Sequence, residues 1–207
     1  ILNDGAFGNY RYLLGDVTLS PTMGNYLDMV RSTKNNPNEN YPREILQLFS
    51  IGLFELNQDG TQRLDGQGRP IPTFDQAIIN DLARVFTGWT YCNTQACGNA
   101  TPGIVNYKDP MVLIPANHDL GAKTLMSYPG APVTSIEACT DCTTDAAILA
   151  YANRSLKDAL NNIFGHPNVG PFIGKLLIQH MVTSDPSPAY VSRVAAAFNN
   201  NGSGVRG

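Results

Sequence analysis

The sequence predicts a mainly α protein, a multi-helix single domain that spans residues 1–207. Apolar residues recur at helical spacing in the first and last thirds of the chain, and helix-start and helix-stop residues flank these stretches. Between them lie a small β-hairpin at about 53–72 and a loop-rich, cysteine-containing insert at about 90–143. We therefore expect about six or seven helices around one core.

Composition excludes several classes of protein. Charged residues make up 15% of the 207-residue chain, against a usual value of about 25%. A net charge of −3 and a pI near 5.5 leave no basic surface for nucleic acid. No run approaches the roughly 18 apolar residues that a membrane span needs, so we expect no transmembrane segment. The first and last residues, Ile1 and Gly207, lead us to expect a fragment of a longer protein.

Two short helices are predicted first, at about 6–17 and 20–30, and a polar loop leads to a central helix within residues 38–52. Asn40 is the expected N-cap of the central helix, and Pro42 fits its first turn. Gly52 is placed for a left-handed C-terminal cap. Helical spacing puts Asn40, Glu44 and Gln47 on one stripe with Arg43 at its edge, opposite an apolar face of Tyr41, Ile45, Leu48 and Phe49.

The next elements follow from turn and cap residues. The hairpin should turn near residues 65–68, and Thr73 with Gln76 forms a capping box for a helix at about 74–86. MVLIP, at 111–115, indicates a short strand inside the insert.

Three further helices are predicted after residue 143. The first begins at Thr143 or Thr144 and breaks near His166, and the last begins after Ser187. On the middle helix His180 should be a core histidine, and the residues expected to face inward are Phe172, Leu176, Leu177 and Met181.

Four cysteines occur in two local pairs, Cys92 with Cys97 and Cys139 with Cys142. Disulfides of an exported protein are favoured, and a zinc site with four thiolates or free thiols are the alternatives. If disulfides form, bridges across the two pairs look easier to make than closure of the short C-T-D-C loop on itself.

Four segments together resemble a known bacterial family. They are NENYPREILQLFSIG at 38–52, ARVFTGWT at 83–90, NHDLGAKT at 117–124 and HPNVGPFIGKLLIQHMV at 166–182. The chain is identified as a member of the family catalogued as a domain of unknown function, number 1800. The resemblance covers nearly the whole chain.

The resemblance implies large, mostly helical bacterial proteins, often with export signals. It therefore implies a secreted, periplasmic or cell-surface location, and the cysteine pairs look like additions of this lineage. Family members carry a His-rich segment similar to W-H-N-H-F, which this chain lacks, so the missing N-terminal part of the same protein is one expected partner.

The candidate catalytic residues are Glu44, His118 and Asp119. Glu44 could act as a general base or metal ligand, and a His-Asp pair in a Gly-flanked loop suits acid–base or metal chemistry. The structural alternatives are an ion pair between Glu44 and Arg84, and a loop held by Asp119 and Lys123. A divalent metal is a candidate cofactor, and its ligands stay open.

The candidate binding residues are polar or aromatic residues of the first three segments named above. Trp89 has two interpretations, a core anchor or a platform for a sugar ring, and the first is favoured. The full set is Asn38, Asn40, Arg43, Gln47, Arg84, Trp89 and Lys123.

The sequence supports two functional hypotheses. The first is a metal-assisted hydrolase that acts on an extracellular polymer. The second is a non-catalytic surface or assembly module, whose polar network only fixes the fold and whose partner is a cell-surface protein or polymer.

Overall fold

The computed structural model describes residues 1–94 and 97–207, and within them the fold is mainly α. The helices are α1 (Leu2–Gly5), α2 (Tyr10–Thr18), α3 (Pro21–Tyr26), α4 (Asn40–Gln47), α5 (Gln76–Val85), α6 (Asp145–Gly165), α7 (Val169–Met181) and α8 (Pro188–Asn199). One-turn 3-10 helices lie at Met29–Arg31 and Pro115–Asn117. None of the helices in these ranges is long and apolar enough to cross a bilayer.

Two small antiparallel sheets lie between α5 and α6. Strand β1 (Trp89–Thr90) pairs with β2 (Val112–Leu113), with Trp89 opposite Leu113. Strand β3 (Lys123–Thr124) pairs with β4 (Ser135–Ile136), with Lys123 opposite Ile136. The short strand expected in MVLIP is confirmed as β2.

The predicted β-hairpin at 53–72 is wrong in its topology. Isolated bridges join Phe54 to Pro72, Leu56 to Gln62 and Leu64 to Pro70, so three short segments lie side by side without a continuous ladder. The reason is that both Asp-Gly dipeptides lie in turns. Residues 57–60 and 65–68 each close a turn with a 3.0 Å backbone hydrogen bond, and the chain reverses twice.

The central helix α4 is shorter than the sequence suggests, and its cap differs. Asn40 is the first helical residue and the N-cap is Glu39, so the cap assigned to Asn40 is wrong, and the Asn38 carboxamide oxygen instead accepts from the Asn40 backbone N–H at 2.9 Å in the turn before the helix. Leu48 is 53% exposed rather than on the apolar face, because the helix ends at Gln47. Gly52 has the expected positive φ of +72°.

The N-terminal cap of α5 also differs from the predicted one. Asp75 accepts from the Ile78 backbone N–H at 3.0 Å, whereas the Thr73 hydroxyl donates to the Gly52 carbonyl. The capping box is therefore wrong, although the helix is confirmed. The caps expected for α6 and α8 are confirmed at Thr144 and Ser187.

The predicted inward face of α7 is right for Phe172 and Leu176, which are partly buried against the core, and wrong for Leu177 and Met181. Ile173 and Ile178 are buried, whereas Leu177 is 47% and Met181 78% exposed, and His180 is exposed rather than in the core. The stretch is apolar nearly all round, so periodicity could not choose between faces. Contacts with α8 make that choice, since Gly174 lies against Val194 and Ala195.

The hydrophobic core is formed chiefly by α4, α5 and α6. Their fully or almost fully buried side chains include Tyr41, Ile45, Leu46, Ile79, Leu82, Val85, Tyr151, Ala159 and Ile163. The α4 and α5 helices therefore pack together, and the start of α4 lies against the start of α5.

Both cysteine pairs form local disulfides in the structure. Cys92 bonds to Cys97 and Cys139 to Cys142, with Cα–Cα distances of 6.0 and 5.6 Å. The expected bridges across the two pairs are wrong, because each pair already lies within the Cα–Cα range of a normal disulfide. With both pairs oxidised, no cysteine is left as a free thiol.

His166 closes the junction between α6 and α7 as a neutral imidazole. Its Nδ1 accepts from the Asn168 backbone N–H at 3.1 Å, its carbonyl accepts from Arg206, and its ring packs edge-on against Tyr128. Burial, with a smaller effect from the Arg206 charge, lowers the pKa of His166 to about 4. The expected role at the helix end is confirmed, since His166 is the C-cap of α6.

This lowered pKa predicts a loss of stability in mild acid. The unfolded chain binds a proton at His166 below a pKa of about 6.5, whereas the folded chain does so only near 4, so stability falls as the pH drops through this window. The contribution is on the order of 3 kcal/mol. Urea denaturation between pH 4 and 7 should show a shallower pH dependence for His166→Gln than for the wild type. His180→Gln, which changes an exposed histidine, is the control, and equal slopes for all three proteins would refute the assignment.

Candidate functional site

Arg84, in the last turn of α5, is the centre of a dense cluster of charges. Its Nε and Nη2 donate to the two carboxylate oxygens of Asp119 at 3.2 and 3.0 Å. Its Nη1 donates to Asp81 Oδ1 at 2.9 Å and to the Ala122 carbonyl at 2.8 Å. A bidentate guanidinium–carboxylate pair fixes both distance and angle, so α5 and the loop after Asn117 are held in one orientation.

Lys123 completes this cluster from β3 with a fully buried side chain. Its ammonium donates to the carbonyls of Asp119 and Gly121 at 2.9 and 2.7 Å and to the Tyr151 hydroxyl at 3.2 Å. It also lies 3.2 Å from Asp119 Oδ1, so the expected contact between Asp119 and Lys123 is confirmed. We call Asp81, Arg84, Asp119 and Lys123 the Arg84 cluster.

The pKa values in the Arg84 cluster follow from burial and opposite charge. Burial acts to raise the pKa of Asp119, but hydrogen bonds from Arg84 and the charge of Lys123 outweigh it, and the pKa lies below its usual value. Burial lowers the pKa of Lys123, and Asp119 opposes that change. Hydrogen bonding to Asp119 raises the pKa of Arg84. The carboxylate is therefore held ionised by two fixed cations.

Thr87 and Gly88 join the Arg84 cluster to His118. The Thr87 hydroxyl donates to the Arg84 carbonyl at 2.7 Å and accepts from the Asp119 backbone N–H at 2.9 Å. Gly88 has a φ of +84°, and a Cβ there would lie 3.1 Å from the His118 nitrogen and the Ile114 oxygen. Only glycine fits this position, which accounts for the Thr-Gly-Trp run in the sequence.

His118 is buried as a neutral ring. Its Nδ1 lies 2.8 Å from the Thr87 carbonyl oxygen, which can only accept, so the proton is on Nδ1. Burial lowers the pKa of His118, with a further effect from the Lys123 charge. Nε2 is buried and has no hydrogen-bond partner in the described part of the chain.

Arg43, at the edge of the predicted polar stripe of α4, belongs to a second, separate cluster. Arg43 donates to Glu39 at 3.0 Å and to Gln76 at 3.2 Å, and Gln76 donates to Glu39 at 2.9 Å and to Asn80 at 2.8 Å. We call these four residues the Glu39 cluster. Gln76 and Asn80 lie on α5, so that helix carries one cluster near each end.

Glu44 belongs to neither cluster by hydrogen bonding. Its Oε2 is buried and without a partner among the described residues, and the expected ion pair with Arg84 is wrong because Arg84 binds Asp81 and Asp119. Glu44 and His118 therefore do not share a hydrogen-bond network in residues 1–94 and 97–207. In those ranges the single set of three or more closely spaced metal-ligating side chains is Cys139, Asp141 and Cys142, whose thiols are oxidised.

The other candidate residues are placed as follows. Asn40 is exposed at the start of α4, and Gln47 lines a groove beside Gly52. Trp89 is 3% exposed, so its ring is a core anchor and its faces are closed to a sugar. The structure thus brings together Arg84, His118, Asp119 and Lys123, whereas among the described residues no side chain of Asn38, Asn40, Arg43 or Gln47 is hydrogen-bonded to them.

Two members of this region were missed in the sequence. Asp81 precedes Arg84 by three positions, a spacing that places both on one helix face and could have revealed their ion pair. Tyr151 comes from α6, and its hydroxyl donates to the Glu137 carbonyl at 3.0 Å, with the Gly121 carbonyl oxygen 3.2 Å away. No local pattern predicts that contact, because it joins distant parts of the chain.

A family model described as a protein of unknown function (DUF1800) matches residues 1–206. The chain belongs to the DUF1800 family. No curated protein and no solved structure matches it. The family assignment made from the four sequence segments is therefore confirmed.

The DUF1800 motifs divide between the two clusters. NENYPRE supplies Glu39 and Arg43 of the Glu39 cluster. ARVFTGWT and NHDLGAKT supply Arg84, Asp119 and Lys123 of the Arg84 cluster. These three motifs therefore supply one polar cluster near each end of α5.

A different part of this DUF1800 chain forms an open apolar groove, which we call the N-terminal groove. It has a volume of about 370 Å³ and no charged side chain among its lining residues, which are Ile1, Leu2, Tyr10, Leu13, Leu14, Val17, Ser20, Thr22, Met23 and Phe49. In the same N-terminal segment Phe7 is fully exposed and Tyr12 is 74% exposed. An apolar groove can receive the apolar side chains of a segment of another chain.

Proposed function

We propose that this region of the DUF1800 protein is a non-catalytic binding and assembly module of an exported protein. Its Arg84 and Glu39 clusters serve the fold, and its N-terminal groove receives an apolar polypeptide segment. The observation that carries the proposal is the closed character of the Arg84 cluster: the Lys123 ammonium has three neighbouring acceptors, and Arg84 spans two carboxylates. A network whose donors are already used offers none to a substrate.

The apolar groove supports a polypeptide partner over a polysaccharide. Sugar recognition needs directed hydrogen bonds as well as aromatic faces, and this groove combines aliphatic and aromatic side chains with only the hydroxyls of Ser20, Thr22 and Tyr10. The Tyr10 hydroxyl is itself used, since it donates to the Phe49 carbonyl. Burying apolar side chains here would release about 25 cal/mol per Å² of covered surface.

Photo-crosslinking in the producing bacterium tests the proposed module. Phe7 and Tyr12 are replaced one at a time by a photoreactive phenylalanine in the full-length protein, and Asn35, an exposed polar residue, is the matched control position. We expect adducts from positions 7 and 12 that map to the same apolar peptide, and none from position 35. Adducts spread equally over all three positions, or formed with polysaccharide alone, would contradict the proposal.

The alternative, a metal-assisted hydrolase of an extracellular polymer, rests on one observation. His118 Nε2 and Glu44 Oε2 are both buried without partners in the described residues, and such atoms can serve as ligands. Metal analysis of the full-length protein separates the two functions. About one equivalent of a divalent metal, lost in both His118→Gln and Glu44→Gln, would favour the hydrolase.

A further inference from the structure

The two disulfides differ sharply in their surroundings. Cys92 and Cys97 are 5% and 9% exposed, and the loop that carries them is held by Asn106, whose side chain donates to the Cys92 carbonyl at 2.8 Å. Cys139 and Cys142 are both partly exposed and are separated by only two residues, Thr140 and Asp141. Exposed disulfides are the ones that exchange with thiols, whereas buried ones resist them.

A pocket gives access to the second disulfide. It has a volume of about 340 Å³ and is lined by Cys139 together with the backbone that follows β4. Cys142 lies on the other side of the bridge, where its sulfur is 3.6 Å from the Ala147 carbonyl of α6. Cys139 is therefore the member of the bridge that lines the pocket, and its sulfur lies 3.3 Å from Oδ1 of Asp141, another lining residue.

The backbone around this bridge is held in place from two sides. The Cys139 N–H donates to the Leu120 carbonyl at 2.8 Å, next to Asp119 of the Arg84 cluster. The Glu137 carbonyl accepts from the Tyr151 hydroxyl at 3.0 Å, and β4 is paired with β3. These bonds do not involve sulfur, so reduction does not break them, and Cys142, only three positions further along the chain, stays within reach of Cys139.

The charges around the pocket select the kind of thiol. Three carboxylates line it, from Glu137, Asp141 and Asp158, against one guanidinium, from Arg154. A surface with an excess of negative charge attracts cationic molecules and repels anionic ones.

We propose that the Cys139–Cys142 bridge is a redox-active disulfide that exchanges with a dithiol carried on a basic polypeptide surface. The partner's thiolate attacks Cys139 Sγ, the S–S bond breaks, and Cys142 leaves as a thiolate that takes a proton from solvent. The partner's second thiol then loses its proton and attacks the mixed disulfide at the partner's own sulfur, releasing Cys139, which is protonated in turn. Two electrons and two protons pass from the partner dithiol to the protein, and the partner is left as a disulfide.

The test compares the two bridges in the same folded molecule. The protein is treated with cysteamine or 3-mercaptopropionate, alkylated at intervals and digested with trypsin, which places the two pairs in separate peptides, 85–108 and 124–154. We expect Cys139–Cys142 to open at least about tenfold faster than Cys92–Cys97. Equal rates, or faster opening of the buried bridge, would overturn the proposal.

The charge of the thiol tests the partner assignment. Each rate is divided by the rate of the same thiol with a neutral small-molecule disulfide, which removes differences in intrinsic reactivity. The normalised rate of opening at Cys139–Cys142 should then be about threefold or more higher for the cationic cysteamine than for the anionic 3-mercaptopropionate. Asp158→Asn should reduce this ratio, and Asp185→Asn, which changes an exposed carboxylate outside the pocket, should leave it unchanged. Equal normalised rates for the two thiols in the wild type would overturn the proposal that the partner surface is basic.

Discussion

Replacing Lys123 by methionine should lower the free energy of unfolding by about 3–5 kcal/mol, the cost of removing one partner from a buried ion pair. Methionine keeps most of the volume of lysine, so loss of packing contributes little. The carbonyls of Asp119 and Gly121 and the Tyr151 hydroxyl lose their common donor, and Asp119 keeps only Arg84 as a cation. Urea denaturation at pH 7 measures the change.

The control for this prediction is Lys157→Met on α6. Lys157 is exposed, so its replacement should change the free energy of unfolding by no more than about 0.5 kcal/mol. A change below about 1 kcal/mol for Lys123→Met would mean that Lys123 is not part of a structural network.

Replacing Asn168 by alanine should lower the free energy of unfolding by about 4 kcal/mol. Asn168 is 2% exposed, and its side chain donates to the carbonyls of Ile51 and Phe54 at 2.9 and 2.8 Å and accepts from the Leu56 N–H at 2.9 Å. Three backbone groups lose a partner, each at about 1–3 kcal/mol where it stays buried. The contacts join the start of α7 to the segment after α4, so their loss weakens the attachment of α7 to that segment.

Two further variants make the Asn168 prediction specific. Asn168→Asp keeps the size and the acceptor but loses both donors and places a carboxylate near two carbonyl oxygens, so it should be no more stable than Asn168→Ala. Asn153→Ala, on the exposed side of α6, should change stability by no more than about 0.5 kcal/mol. If Asn168→Asp were as stable as the wild type, the donation to Ile51 and Phe54 would not matter for folding.

The helices were the most predictable part of this chain, because their signals are local. Ser187 and Thr144 cap α8 and α6 as expected, since a side-chain oxygen at an N-cap needs only the next three residues. The buried face of α7 was only partly predictable, since most of that helix is apolar and its neighbour α8 decides which side is covered.

The candidate site was predictable in part of its membership, without Asp81 and Tyr151, and not in its contacts. The motifs identified Arg84, His118, Asp119 and Lys123, which the structure brings together. They also suggested Glu44 as the partner of Arg84, whereas the partner is Asp119, 35 positions further along the chain. Residue types at helical spacing indicate that polar groups are directed away from the core, but the partner is set by tertiary packing that one sequence does not display.

For the disulfides, too, the bonded residues were predictable and their pairing was not. Even cysteine number and local pairing predicted bonded cysteines, and both bonds are present. We expected each bridge to join a cysteine of one pair to a cysteine of the other, because a bridge within C-T-D-C closes a small ring. The backbone hydrogen bond from the Cys139 N–H to the Leu120 carbonyl, which holds this loop against the Arg84 cluster, could not be read from composition or spacing.

The central claim is that the Arg84 cluster holds the fold rather than a substrate, and a double-mutant cycle on Arg84 and Asp119 tests it most directly. Arg84→Met, Asp119→Asn and the double variant are unfolded in urea at pH 7 and compared with the wild type. The account predicts a coupling energy of at least about 1.5 kcal/mol, the value expected for charge-assisted hydrogen bonds in a half-buried pair. A coupling energy below about 0.5 kcal/mol, typical of an exposed ion pair, would contradict it.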